Sequence, residues 1–388
     1  LNDNKKIRAV VDMMSIDSRP PLYSRSWSVS GAAAAPPTPP TTPPRPPSHA
    51  LSVMQFNVLA DSLCAKLDNY GCFAGPRDAM EWEQRGVRLM EEVTRHGELP
   101  DLVAMEEVDH FADWFEPQLA ALGYAGTWSK KTGKRSRDGC ALFWRTSKLA
   151  LRGDVETLRY SVGGQIAILA AFDFVRSEAA LAAAATASAA VSEAVSAVVR
   201  SVEASSSSVT AGGGGGAAAT PPCPPPPPLA VAGVFVAVTH LKASKNAEGE
   251  AIRTVQLSEL FDRVAAARAG LPCLIALDMN AAPASSACAP YAPSAYPTAL
   301  AHALGVHSTY ATALGAEPAY TTWKIRVGDF KSGEAKHTID YIFATTDIAV
   351  ERVLRMPAEG DVVATRLPGW EYPSDHIALY AALRVPGC

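Results

Sequence analysis

The sequence lacks the features that mark several classes of protein. Its seven cysteines include no Cys-x-x-Cys pair, which excludes common zinc-site spacings and argues for a reducing, intracellular compartment rather than a disulfide framework. The formal net charge is −4, from 35 basic and 39 acidic residues, so any contact with a polyanion must come from local basic clusters. The uncharged, alanine-rich residues 179–192 fall short of the roughly 20 that cross a bilayer, and no membrane span is expected.

Two low-complexity segments are expected to lie outside the core. Residues 36–47 are mostly proline, which predicts an extended linker. Residues 15–50 are rich in Ser and Arg and poor in acids, as in organelle transit segments, although a Pro-rich disordered tail fits as well. We therefore predict a disordered Pro-rich segment over residues 1–50, with ordered structure beginning near Leu51. The protein would be cytoplasmic, chloroplast or mitochondrial, depending on whether translation starts upstream or at Met13 or Met14.

The second low-complexity segment covers about residues 177–228 and consists of alanine, serine, glycine and proline runs. Such a composition cannot bury an apolar face. We predict a surface insertion that joins two neighbouring strands within one catalytic domain, residues 51–388.

The remaining sequence alternates between strand and helix patterns. Two sets of strands with interleaved helices predict two packed sheets flanked by helices, an α/β architecture in a single domain. Predicted strands cover residues 51–58, 102–105, 139–144, 166–174, 231–239, 273–277, 338–343 and 377–383. Predicted helices cover residues 81–96, 111–122 and 251–269, and Trp82, Leu89, Met90 and Val93 are expected to form the apolar stripe of the first.

Polar side chains follow several of these predicted strands, and their chemistry matches a metal-assisted phosphoesterase. Mg²⁺ (or Mn²⁺) takes carboxylate and amide oxygens, which Glu107 and Asn57 supply; Asp375 is a candidate ligand of a second ion. Each residue alone has an ordinary structural explanation, such as a turn or a cap. Their occurrence in order after strand-like runs is what indicates a site; they are Asn57, Glu107, Asp278, Asn280, Asp340 and His376.

Catalytic roles follow from the same residue types. Asp278 suits the acceptor that orients or deprotonates a water, and Asn280, two residues on, shares its strand face and can donate to a phosphate. His376 can donate to the leaving group, and Asp340 can fix its tautomer. Asn57 is counted with the catalytic residues as well as with the metal ligands.

Seven segments, taken together, resemble the endonuclease/exonuclease/phosphatase superfamily, and within it the nocturnin and deadenylase group. They are residues 54–60, 107–110, 138–143, 239–243, 320–326, 337–342 and 372–376. The resemblance covers about residues 51–175 and 230–384 and implies a DNase I-like, four-layer α/β/β/α sandwich with two central mixed sheets. It also implies Glu107 as metal ligand, and Asp278, Asn280, Asp340 and His376 as catalytic residues.

Two of the departures from the family pattern concern charged or phosphate-binding positions. The residue before the catalytic glutamate is usually Gln and is Glu106 here; strand alternation predicts that Glu106 points away from the metal. Ser244 stands where the family often has a basic residue, and Lys245 is expected to replace that phosphate contact.

The resemblance implies that Lys242 and Lys131 contact substrate phosphate. Basic residues also cluster over residues 130–137, and Trp323 is a candidate for stacking on a base. The predicted substrate-binding set is His240, Lys242, Lys131, Lys245, Trp323, Lys324 and Arg326.

Two activities fit this set. One is removal of the 2′-phosphate of NADP(H), which the resemblance to nocturnin favours; the alternative is a 3′-to-5′ exoribonuclease of the deadenylase type, acting on an RNA 3′ end. A catalytically dead RNA- or protein-binding module is the third interpretation, which the presence of Glu107, Asp278 and His376 disfavours. No specific protein partner is predicted.

Overall fold

The computed structural model describes residues 19–28, 48–64, 72–133, 136–175, 232–283, 292–328 and 332–387. The chain divides into one unit formed by Leu1–Phe174 with Ala232–Cys388 and a second formed by Val175–Val231. The predicted insertion at about 177–228 lies outside the described residues. Within the described part of the chain, no helix is long and apolar enough to cross a membrane.

Strands dominate the described residues and form three sheets. In chain order they are β1 (Ser48–Asn57), β2 (Cys72–Phe73), β3 (Leu102–Val108), β4 (Tyr124–Lys130), β5 (Gly139–Arg145), β6 (Leu149–Arg159), β7 (Ile166–Phe174), β8 (Gly233–His240), β9 (Cys273–Asp278), β10 (Val306–Ser308), β11 (Thr322–Val327), β12 (Gly333–His337), β13 (Asp340–Thr345), β14 (Ala349–Val353) and β15 (Leu379–Pro386).

Helices lie between these strands. They are α1 (Asp61–Cys64), α2 (Trp82–Thr94), a π-helical turn (Phe111–Phe115) that continues into α3 (Glu116–Ala121), α4 (Ala247–Ala267), α5 (Ala295–Ala301) and α6 (Thr309–Leu314), with 3₁₀ turns at Asp78–Met80 and Glu359–Asp361.

Two six-stranded mixed sheets pack face to face. The first has the order β14-β15-β1-β3-β5-β4, and the second has the order β10-β13-β9-β8-β7-β6. One apolar cluster fills the space between the sheets. A second joins the outer face of the first sheet to α2 and α3, and a third joins the outer face of the second sheet to α4 and α5. These four layers confirm the predicted α/β/β/α sandwich.

Strand β1 shows how the sequence assigns residues to layers. Val53 faces the second sheet, whereas Met54 and Phe56 face the outer helices. Because side chains alternate along a strand, Gln55 and Asn57 continue the inward face. The two polar residues therefore lie at the end of the inter-sheet core.

The predicted elements match the observed ones with small shifts at their ends, but several strands were not predicted. Strands β7 and β8, which flank the insertion, are antiparallel neighbours, as its placement required. The strands missed by the sequence analysis include β4, β6, β11, β12 and β14. Strand β6 is at the edge of its sheet and largely exposed, so polar residues occupy both its faces and no alternating apolar pattern marks it.

The prediction that order begins near Leu51 is wrong. Residues 19–28 pack on the first sheet and on α2, with Leu22 and Tyr23 buried, and β1 starts at Ser48. The Ser28 N–H donates to the Val353 carbonyl at 2.8 Å. Isolated apolar residues in a Ser- and Pro-rich context gave no periodic signal for this packing.

A third, three-stranded sheet with the order β12-β11-β2 was also not predicted. It touches the loop before β15, because Thr322 forms a bridge with His376. Strand β11 thereby carries Lys324 and Arg326 to the edge of the two main sheets.

Candidate active site

The predicted catalytic residues converge where the two large sheets end. Asn57 ends β1, Glu107 is near the end of β3, and Asp278 ends β9. Asp340 begins β13, which pairs with β9 so that Asp340 lies opposite Asp278. The tertiary fold thus brings together side chains that are far apart in the chain.

Asp340 holds His376 by its Nδ1 atom. That nitrogen lies 3.1 Å and 2.9 Å from the two carboxylate oxygens. Thr321 Oγ1 donates to Asp340 Oδ2 at 2.5 Å and Gln55 Nε2 to Oδ1 at 3.2 Å. Burial disfavours the imidazolium, but the carboxylates of Asp340 and Asp375 outweigh it and raise the pKa of His376 to about 9. The ring is therefore protonated at neutral pH and can donate a proton.

Asp278 is buried and titrates near neutrality. Asn57 Nδ2 donates to its Oδ2, and the Asn280 N–H donates to its Oδ1, both at 2.9 Å. Burial and repulsion from the Asp340 carboxylate raise the pKa of Asp278 to about 7. A carboxylate with a pKa near the working pH is well matched to accept a proton from water.

The backbone at the site is strained at three non-glycine positions. Leu59, Glu107 and Asn280 have φ values of 54°, 58° and 55°, in the left-handed region that such residues seldom adopt. At Glu107 the strain coincides with a shift in the β3–β5 register between Met105 and Val108. Backbone strain of this kind clusters at functional sites, where the surrounding structure fixes it.

Glu107 faces a neutral histidine across the site. Its Oε2 accepts the Ala60 N–H at 3.3 Å, and its Oε1 lies 3.8 Å from His240 Nδ1. Burial and the Lys131 ammonium hold the pKa of His240 well below its usual value. Burial also raises the pKa of Glu107, although Lys131 partly offsets this.

Lys131 lies on the same side of the site. Its ammonium forms an ion pair with Asp138 and lies 3.3 Å from His240 Nδ1. Asn280 Nδ2 lies 2.8 Å from His240 Nε2. The predicted residues Lys131, His240 and Asn280 therefore form one contiguous polar surface. Lys134 and Arg135 of the basic cluster lie outside the described residues.

A second group of cations at the site comes from β11. Lys324 Nζ forms an ion pair with Asp375, and Arg326 Nη2 lies 3.9 Å from Asp375 Oδ2. Burial opposes ionisation of this carboxyl, but Lys324 and His376 hold the pKa of Asp375 well below its usual range. Two cations therefore already match the charge of Asp375, and its role as a ligand of a second ion stays a prediction.

Trp323 does not fit the predicted role in base stacking. It is 6% exposed and belongs to the core under the first sheet. Lys336 Nζ and Arg366 Cζ lie 4.3 Å and 4.1 Å from its ring centre, and its Nε1 donates to Glu334 at 2.6 Å. The indole is therefore occupied by protein contacts and supports β11 instead of a substrate.

The other predicted phosphate contacts lie at the rim. Lys242 is half-buried and Lys245 is exposed. Burial and the charges of Lys245 and Lys324 lower the pKa of His337 to about 4. His337 is thus a neutral neighbour of two lysines, and positive charge accumulates on this side of the site.

Beneath the site, Glu106 is completely buried. Gln55 Nε2 donates to Glu106 Oε2 at 2.9 Å as well as to Asp340, so Glu106 lies between the sheets under the catalytic pair. Burial and the charge of Asp340 raise its pKa well above the usual value. The register of β3 shifts between Met105 and Val108, and the orientation of Glu106 away from a metal stays a prediction.

Gln55 and Thr321 are functional neighbours that sequence reasoning missed. Both donate to Asp340 and so orient the partner of His376. Gln55 lies two residues before Asn57, and a polar residue on the core-facing side of an apolar strand was the signal available in the sequence.

The donor set suits a hard divalent cation. Among the described residues, one group of three buried side chains, Asp278, Asp340 and His376, has ligand atoms within 4.8 Å of one another and could hold a metal. Asp340 and His376 bind each other. Burial disfavours the charged forms of the other two carboxyl groups, Glu107 and Asp278. A cation of the Mg²⁺ type, which takes oxygen ligands, would relieve that penalty.

The site contains the groups that hydrolysis at phosphorus requires. They are a proton acceptor, a proton donor held by a carboxylate, buried oxygen ligands and two groups of cations. The fold and the site together define a phosphoester hydrolase with a buried group that could hold a divalent metal.

Comparisons with known proteins agree with this class. The Endonuclease/Exonuclease/phosphatase family matches residues 54–376. Nocturnin of Rattus norvegicus is 28% identical over 381 residues, covering 94% of this chain and 70% of that protein. The structure of the human Nocturnin catalytic domain with bound sulfate anion gives a TM-score of 0.58 at 22% identity, covering 94% of this chain and 98% of that one. The structure of ANGEL2, a 2′,3′-cyclic phosphatase, gives 0.61 at 18% identity, covering 94% and 99%.

The chain belongs to the Endonuclease/Exonuclease/phosphatase family, whose members hydrolyse phosphoester bonds. It spans 64–70% of the length of the mammalian nocturnins to which it is similar. The family is generally dependent on divalent metals.

Proposed function

We propose that the protein is a divalent-metal-dependent phosphatase that removes the 2′-phosphate of NADP(H). The observation that carries the proposal is the buried Asp278–Asp340–His376 group with cations from two parts of the chain beside it. Lys131, which follows β4, contacts His240, and Lys324 and Arg326 of β11 contact Asp375. A compact set of cations suits a small ligand with several phosphates better than a long nucleic acid, and the neutral-to-acidic chain offers no general attraction to RNA.

Glu107 and Asn57 are the residues that would hold the metal. A bound Mg²⁺ or Mn²⁺ supplies a charge that stabilises the developing negative charge on phosphoryl oxygens. The Asn57 amide is already oriented, because its Nδ2 donates to Asp278 and its Oδ1 accepts the Leu59 N–H at 3.0 Å.

The proton transfers are carried by the protein's own residues. Asp278 accepts a proton from the attacking water, and Asn57 and the Asn280 N–H keep its carboxylate in place. His376 gives its proton to the oxygen that leaves phosphorus, while Asp340 holds the ring by Nδ1. Lys131 and Lys324 neutralise the phosphate charge when the substrate enters and their carboxylate partners are displaced.

Phosphate release tests the substrate assignment. The purified protein with Mg²⁺ is expected to release phosphate from NADP⁺, and the Glu107→Ala variant serves as the blank. A synthetic RNA with a 3′-terminal adenosine run is assayed in parallel. Shortening of the RNA without release from NADP⁺, by protein shown to bind Mg²⁺, would replace the phosphatase with the exoribonuclease alternative.

The pH dependence of kcat/KM is expected to be bell-shaped. Asp278 must be ionised to accept a proton, so the rate rises as pH increases through about 7, the pKa of Asp278. His376 must be protonated to donate, so the rate falls as pH increases through about 9. Because a bound cation favours the carboxylate and disfavours the imidazolium, saturating Mg²⁺ is expected to move both limbs to more acidic pH. A rate that stays constant from pH 8 to 10 would contradict the role of His376.

A further inference from the structure

The N-terminal residues 19–28 lie against the catalytic domain although they precede it in the chain. The Ser26 carbonyl accepts the Arg355 N–H at 2.9 Å, and the Tyr23 N–H donates to the Glu371 carbonyl at 3.2 Å. The Tyr23 ring stacks on Tyr372 with a centroid distance of 6.3 Å and an interplanar angle of 12°. The segment therefore contacts the loop that leads to Asp375 and His376.

Arg25 is the centre of these contacts, and its side chain is completely buried. Its Nη1 donates to Glu92 Oε1 at 2.8 Å. Its Nη2 donates to the Ala378 carbonyl at 2.8 Å, two residues beyond His376, and to the Leu354 carbonyl at 3.2 Å. A buried guanidinium with an ionic partner and several carbonyl acceptors requires a defined geometry, because each unsatisfied group would be costly.

Glu92 links Arg25 to the loop that contains Tyr372 and His376. Its Oε1 accepts from Arg25 and also from the Tyr372 hydroxyl at 2.9 Å. The Tyr372 hydroxyl in turn accepts the Ala378 N–H at 2.9 Å. Arg25 and Tyr372 thus hold the carbonyl and the N–H of the same residue, just after His376.

The same face of α2 anchors the loop at two further points. Arg85 is completely buried and donates to the Pro373 carbonyl at 3.0 Å and to the Leu59 carbonyl at 2.7 Å. Arg88 donates to the carbonyls of Trp370 and Pro20. Because residues 85, 88 and 92 share one helical face, α2 presents a buried polar face where the sequence predicted only an apolar stripe.

We propose that residues 19–28 are a part of the catalytic unit that positions the loop 370–378, with Arg25 as a positioning residue acting through Glu92 and Tyr372. The effect on turnover rests on the proposed function of His376; the effect on the loop does not. If residues 1–50 were a transit segment, their removal would also remove the contacts of residues 19–28 with the loop. An active processed form must therefore retain Arg25.

Amide hydrogen exchange tests the positioning without any substrate. The full-length chain is compared with Tyr372→Phe, which removes one hydroxyl and no charge, and with Arg25→Met. Exchange of the amides in 370–378 is expected to be about tenfold faster in both variants. Tyr124→Phe is the matched control, because Tyr124 is also a buried tyrosine that donates to a carbonyl, Pro100, at the opposite end of the first sheet.

Turnover of NADP⁺ by the same proteins tests the catalytic consequence. Tyr372→Phe is expected to lower kcat about tenfold with little change in KM, because a small displacement of His376 affects the transition state more than binding. Arg384→Met, at an exposed ion pair with Glu351, controls for the loss of an arginine.

Three results are decisive. Faster exchange of the amides in 370–378 together with lower kcat supports the proposal. If exchange is faster but the wild type turns over no phosphoester, the positioning is supported and the proposed function is refuted. Unchanged exchange in Tyr372→Phe and in folded Arg25→Met overturns the proposal, whatever the activity. If Arg25→Met does not fold, the Tyr372→Phe comparison alone decides.

Discussion

Replacing His376 with alanine is expected to lower kcat by about three to four orders of magnitude. The imidazolium is held by the Asp340 carboxylate and is protonated at neutral pH, with a pKa of about 9. Without it, the leaving oxygen must take its proton from water. KM for NADP⁺ should change little, because the cations Lys131, Lys324 and Arg326 remain.

The same variant should shift the pH dependence of the residual activity. His376 stabilises the ionised form of Asp278, whereas Asp340 opposes it. Removing the imidazolium leaves the two carboxylates facing each other, so the pKa of Asp278 rises further and the residual rate should increase at a higher pH than in the wild type. The upper limb near pH 9 should disappear.

Steady-state phosphate release over pH 5–10 measures both effects. His302→Ala is the matched control, because His302 also pairs with a carboxylate, Asp262, at 3.2 Å but on the outer helical layer. A loss of less than about tenfold in folded His376→Ala would show that another group donates the proton.

Replacing Glu107 with alanine is expected to abolish turnover that depends on Mg²⁺. Glu107 supplies a buried carboxylate next to Asn57 and Asp278, and burial raises its pKa. In the absence of metal, removal of this group relieves a desolvation penalty, so the variant should be at least as stable as the wild type. The loss of activity is therefore expected without a loss of fold.

Thermal unfolding with and without Mg²⁺ gives a readout that is independent of activity. Metal that binds only the folded state raises the unfolding temperature, and tighter binding raises it more. The wild type should show this increase, and Glu107→Ala should not. Glu351→Ala, which removes an exposed glutamate, should retain both the increase and the activity. An unchanged Mg²⁺ concentration for half-maximal activity in Glu107→Ala would exclude Glu107 as a ligand.

The sequence predicted the layers of the fold and most of the catalytic group. Largely apolar runs in segments such as 51–58 and 273–277 identify strands whose faces are both buried, and the polar residue near the end of each one stands out against that pattern. Asn57, Asp278 and His376 were therefore predicted as site residues from local context. Their mutual distances depend on sheet order, and the resemblance to a known family supplied that order.

The sequence did not predict the third sheet or the correct role of Trp323. Strands β11 and β12 are short and half-exposed, so their pattern carries little apolar signal. Only the pairing of β11 with β12 places Lys336 over the Trp323 ring. The local sequence around an aromatic residue with basic neighbours is the same in both cases, whether the ring stacks on a nucleotide base or on a lysine of the same protein.

By itself, the sequence determined which segments are buried and which side chains end them, because burial leaves a periodic trace in each strand and helix. The tertiary structure alone decided which buried charges meet. Arg25 and Glu92 are 67 residues apart and Arg25 and Ala378 are 353 apart, and neither separation leaves a local pattern. Long-range polar contacts of this kind are set by how the sheets and α2 pack, and they determine where His376 is held.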